Sequence, residues 1–161
     1  MAEPSLLVGT ARLMCDSHIN LRYELSGDSM TAQAKGTFTV AGWEENTYEE
    51  LENGGKLTKA RVTFGFDGDL EAEGGWEAVM CYQEDGSASF TGFQHTTGKL
   101  GGRNGSFVLR ADGAFSGGQA QTNWQVVDGS ATGQLRGLRG TGTAVTTSGS
   151  GGEFTLDYEL G

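Results

Sequence analysis

Trp124 to Gly142, WQVVDGSATGQLRGLRGTG, is the stretch that decides the fold. An aromatic-led extended run enters a segment punctuated by glycines at 129, 133, 137, 140 and 142, and a second extended run leaves it. Glycine takes positive φ without steric penalty and lets neighbouring backbones approach closely, so this spacing suits tight bends in a sheet that closes on itself.

The same punctuation recurs along the chain. Extended runs are expected over Thr31 to Trp43, Lys56 to Phe66, Asp69 to Gln83, Ser87 to Gly98, Ser106 to Phe115, Gln119 to Val127, Arg139 to Thr146 and Glu153 to Leu160. Between them stand the turn-formers Asp67-Gly68, Asp85-Gly86, Gly101-Gly102 with Asn104-Gly105, Gly117-Gly118 and Gly151-Gly152. Pairs of this kind favour short antiparallel hairpins. About eight such strands in succession predict an all-β, up-and-down antiparallel barrel, because closure removes the edges that an open meander would expose. At this strand number the lumen is either filled by side chains or holds one small ligand.

Composition agrees. The chain has 28 glycines against one proline, far above the usual glycine share of about 7%, with its apolar residues spread evenly. At 161 residues it is expected to form a single domain, residues 31–161, preceded by an extension over residues 1–30. A formal net charge of -10 argues against a nucleic-acid or anionic-membrane partner, both of which require a basic surface. Cys15 and Cys81 have no metal-like spacing and read as free thiols. The first residues lack a basic segment followed by a long apolar core, so a soluble, cytoplasmic chain is expected.

In the extension, His18 to Leu25 alternates with Ile19, Leu21, Tyr23 and Leu25 on one face, as a half-buried strand does. Leu6 to Met14 reads as a strand or a short helix. The extension can act as an extra edge strand, as an arm in a homodimer, or as a lid. The one long joint, Glu44 to Gly55 (EENTYEELENGG), is expected to form a short acidic helix over one barrel end with Tyr48 and Leu51 turned inward. Clustered, exposed glutamates of this kind rarely do acid–base chemistry.

Alternation assigns the inner wall. It places Ala60, Val62, Phe64 and Phe66 inward on one strand, and Phe154, Leu156, Tyr158 and Leu160 inward on the last. Trp76, Met80 and Tyr82 follow, with Phe90, Gln94, Phe107, Leu109, Thr122 and Trp124; Glu71, Glu73 and Glu77 fall outside. Buried phenol, indole and amide groups need hydrogen-bond partners, so Tyr82, Tyr158, Trp76, Trp124 and Gln94 mark either an internal network or a ligand contact. His95 should point outward, and neither it nor His18 has a second ligand at metal spacing. No serine nucleophile elbow or phosphate-cradling loop is present. Any catalysis would come from a shaped, apolar cavity.

The ordered set GTFTVAGWEENTYEELENGGKLTKARVTFGFDGDLE, DGSASFTG, GRNGSFVLRADGAF, WQVVDGSATGQLRGLRG and FTLDYEL, covering roughly Lys35 to Leu160, resembles a family of small bacterial proteins of unknown function. Their fold belongs with the allene oxide cyclase-like barrels. The W…VV…G…TG…GLRG ending is similar, more weakly, to a hairpin of the spirotetronate-forming [4+2] cyclases. Members of the first family often carry Glu where this chain has Gln94 and His where it has Ala111, so an acid–base role for that pair does not carry over. Both resemblances imply catalysis by confinement, in which a bound chain is held close to its reacting geometry.

The expectation is therefore a cofactor-independent cyclase or isomerase acting on a hydrophobic small molecule, such as a polyketide-type polyene or an oxylipin. Phe64, Phe66, Trp76, Met80, Phe90, Phe107 and Trp124 would bind it. Gln94, Tyr82 and Tyr158 would orient or polarise it. The rival is a non-catalytic carrier or sensor using the same lumen, and a third reading is a structural dimer module with a filled interior.

Overall fold

In the computed structural model, residues 20–23, 30–148 and 150–160 are described. Among these residues nine strands follow one another: β1 (Asn20–Tyr23), β2 (Met30–Glu50), β3 (Lys56–Gly68), β4 (Leu70–Tyr82), β5 (Ala88–Leu100), β6 (Arg103–Ser116), β7 (Gln119–Val126), β8 (Leu138–Ser148) and β9 (Gly151–Leu160). Each pairs antiparallel with its neighbour in sequence, and β2 also pairs with β9 from Met30↔Leu160 to Thr39↔Gly151. That pairing closes β2 to β9 into an eight-stranded antiparallel barrel. β1 lies outside the closure, on the edge of β2 from Met30 to Gln33 that β3 leaves free. It occupies part of the strand expected over His18 to Leu25. The expected segment Leu6 to Met14, Cys15, and the facing of Ile19, Leu21, Tyr23 and Leu25 lie outside the described residues.

The turns are short where glycine pairs allow it. Gly101 and Gly102 (φ 58° and 83°) join β5 to β6, and Gly117 and Gly118 (φ 60° and 79°) join β6 to β7. Three expected turn pairs are instead strand residues: Asp67-Gly68 ends β3, Asn104-Gly105 lies within β6, and Gly151-Gly152 opens β9. The glycines of Gly151-Gly152 serve close packing, for a Cβ on Gly152 would meet the Val145 carbonyl oxygen at 2.0 Å.

The expected acidic helix over Glu44 to Gly55 is absent. β2 continues as a strand to Glu50, paired with β3 through Glu50↔Lys56, and only a tight turn, closed by Leu51 N–H to the Gly55 carbonyl at 2.9 Å, separates them. Tyr48, expected inward, is 52% exposed, with the Lys59 ammonium over its ring. Two bulges, at Ala41 and at Tyr48, let this strand twist as it passes the end of β9.

The opening stretch is also not a tight hairpin. Residues 127–137 form a loop that takes over the pairing of β6 where β7 ends: Val127 N–H bonds the Val108 carbonyl, Thr132 N–H bonds the Ser106 carbonyl, and Gln134 Oε1 accepts from Asn104 N–H. A single 3-10 turn, Gly133–Leu135, then inserts Leu135 into the core. Leu135 joins Leu70, Leu100, Phe107, Leu109, Leu138 and Leu156, each no more than 1% exposed. This half of the barrel is solidly filled.

Candidate functional site

The other half is open. Toward the end where β4 finishes and β5 begins, the lumen holds a cavity of 320 Å³. That volume lies at the lower end of the range of about 300–1,000 Å³ typical of small-molecule sites. Its wall contains nine of the residues picked out by alternation, namely Phe64, Phe66, Trp76, Met80, Tyr82, Phe90, Gln94, Thr122 and Trp124. They converge because period-two alternation holds along β3, β4, β5 and β7 without interruption. Ala111 lines it as well.

Phe107 and Tyr158 are not part of this wall. Both face inward and are buried, but they stand in the filled half, where Phe107 packs in the leucine-rich core. Burial raises the pKa of the Tyr158 hydroxyl, with the negative charge of Asp69 adding to it and Arg103 opposing. Those two charges belong to the far end of the barrel. His95 is exposed, as its parity requires.

The aromatic wall is built from edge-on and tilted ring contacts. Phe66 meets Trp124 and Phe154 at centroid distances of 5.8 and 5.7 Å, nearly perpendicular to each, and Trp76 meets Phe90 edge-on at 5.2 Å. Such pairs fix ring orientation beyond simple burial.

Polar groups are few and mostly engaged. Gln94, 2% exposed, donates from Nε2 to Thr96 Oγ1 at 3.1 Å, and Thr96 is fully buried. Trp76 Nε1 is buried with no hydrogen-bond partner among the described residues. At the mouth, Tyr82 Oη donates to Glu45 Oε2 at 2.7 Å, and Thr58 Oγ1 donates to the same oxygen at 2.6 Å. Trp43 Nε1 donates to Glu45 Oε1 at 3.0 Å. Burial works against ionisation of Glu45, but these three hydrogen bonds and the charge of Lys56 outweigh it and hold its carboxyl below the usual range. For Tyr82, burial first, and then the bond to Glu45 and its charge, push the hydroxyl up to about 12. At neutral pH the pair is an ionised carboxylate holding the proton of a neutral phenol.

Alternation along the sequence missed Glu45 and Trp43 for one physical reason. Phe38 and Val40 face the lumen from even positions, and the bulge at Ala41 shifts the parity, so Trp43 and Glu45 share the inner face opposite Val62 and Ala60. Phe115, Gly118, Ala120 and Thr146 complete the mouth. Among the described residues no group of three or more His, Cys, Asp or Glu is placed to hold a metal ion, and Cys81 is a free thiol. No helix among them is long and apolar enough to cross a membrane.

A family model described as "Protein of unknown function (DUF3224)" matches residues 34–158. A crystal structure of a protein of unknown function from the DUF3224 family of Shewanella oneidensis MR-1 is similar at a TM-score of 0.66 and 28% identity, covering 80% of this chain and 96% of that one. No curated protein matches the chain. The family match runs from β2 to β9 and so takes in the whole closed barrel with its lumen. The chain therefore belongs to the DUF3224 family of proteins of unknown function.

Proposed function

We propose that the barrel takes one small, apolar, unsaturated molecule into its open half and guides an isomerisation or ring closure there by confinement, without a cofactor. The observation that carries this reading is the 320 Å³ cavity, walled by edge-packed aromatic rings and reached by only a few polar groups. Holding two reacting ends of a flexible chain in contact converts a rare encounter into a standing one, which removes several kcal/mol or more of barrier. An intramolecular [4+2] closure of a polyene suits such a site, since it needs shape and no proton transfer. Gln94, on the wall, and the Tyr82 phenol, at the mouth, are the groups available to orient a substrate oxygen.

A carrier is the second reading, and one feature favours it. The Tyr82 hydroxyl already donates to Glu45 and Gln94 Nε2 to Thr96 Oγ1, so each has a donor engaged without a substrate. Incubation with a linear polyene, followed by chromatography with mass detection, separates the two. An isomer of unchanged mass supports the cyclase or isomerase. Polyene that is bound and recovered unaltered removes it and leaves the carrier.

A further inference from the structure

We infer that the molecule the lumen takes is uncharged and that carboxylates are turned away at the mouth. The inference rests on the ligand-binding reading above and narrows it by chemical class. Among the described residues no cationic side chain lines the cavity: apart from indole N–H groups, its polar side chains are Gln94, Tyr82, Thr122 and Thr146. An anion entering this wall sheds its water and meets no counter-charge, which is the costly way to bury a charge.

The mouth adds repulsion. Glu45 is fixed behind Tyr82 by hydrogen bonds from Thr58, Tyr82 and Trp43, and an incoming carboxylate would compete with it for the Tyr82 proton while standing beside a like charge. The nearby cation, Lys56, stands 5.2 Å over the Tyr82 ring, is drawn toward Glu45, and pairs in register with Glu50. It stands outside the cavity wall, so it gives a headgroup inside the lumen no counter-charge. The net charge of -10 repels anions at longer range. A free fatty acid or acidic oxylipin thus has the wrong headgroup for this lumen, whereas an alcohol, ketone or hydrocarbon of the same length has nothing to lose at the mouth.

The test displaces a neutral apolar dye, N-phenylnaphthylamine, from the full chain at neutral pH with decanol and with decanoate, which share a chain length and differ in charge. Decanol is expected to compete at least about tenfold better than decanoate. Glu45→Gln, checked for folding by its thermal melt, is expected to narrow that gap several-fold. Equal or better competition by decanoate in the wild-type protein overturns the inference while the ligand-binding reading stands, and that comparison needs no variant. Failure of the dye and of both competitors to bind removes the ligand-binding reading itself, and the inference with it.

Discussion

Glu45 and Tyr82 are hydrogen-bonded to each other, and each has its acid–base chemistry shifted by the other. Tyr82 has its pKa raised from 10.0 to about 12, so the folded chain holds that proton more tightly than the unfolded chain does. Its contribution to stability is complete below the unfolded value and is lost as pH rises toward the folded one. Glu45 is lowered, so its contribution is present above the usual glutamate range and is lost as pH falls through the folded value. Thermal melts from neutral to strongly alkaline pH should show stability falling between about pH 10 and 12, and the fall should be shallower in Tyr82→Phe. It should not vanish, because Tyr158 is also raised. At neutral pH the same substitution removes one hydrogen bond to a partly exposed carboxylate that keeps two others, so it should cost only about 1 kcal/mol. An unchanged alkaline limb in Tyr82→Phe would show that the pair does not control it.

At the level of elements, β2 and the loop after β7 give this barrel its two unlike ends. β2 overshoots β9, and after its bulge it delivers Trp43 and Glu45 to the mouth. The loop of residues 127–137 carries Leu135 into the opposite half. The strands themselves were legible from the sequence because alternation has a period of two and glycine pairs mark the turns. The overshoot was not legible: a run of glutamates with one tyrosine looks like a solvated helix until its backbone is seen paired with β3. The bulge hides the remainder, since one extra residue exchanges faces for everything beyond it. The glycines of the opening stretch divide in the same way. Gly129 has φ 82° in the loop with open space beside it, while Gly142 lies in β8 with the Thr155 carbonyl oxygen 2.2 Å from where a Cβ would sit. Gly129→Ala should cost about 1 kcal/mol through its backbone conformation. Gly142→Ala should cost more, about 2 kcal/mol or above, by forcing β8 from β9. Equilibrium denaturation of both variants checks the order, and the reverse order would contradict this account of the closing strands.

On the scale of the whole molecule, the barrel is half core and half container. Alternation reports which face a side chain takes but not its height along the axis. That is why alternation groups Phe107 and Tyr158, correctly turned inward, with a cavity they do not line, and passes over Phe38, Ala120 and Thr146, which line it. Filling the container should leave the core half intact. Ala120 is half-buried at the mouth, so Ala120→Phe should occupy the entrance with a stability change within about 1 kcal/mol, whereas a large residue at fully packed Leu109 should cost about 1–3 kcal/mol. A melting temperature near the wild-type value for Ala120→Phe, and a lowered one for Leu109→Trp, is the expected pattern. The most direct test of the central claim is a fluorescence titration of the wild-type protein and of Ala120→Phe with N-phenylnaphthylamine. The account predicts saturable one-to-one uptake by the wild type and its loss in the folded variant; no uptake by the wild type, or equal uptake by both, would contradict it.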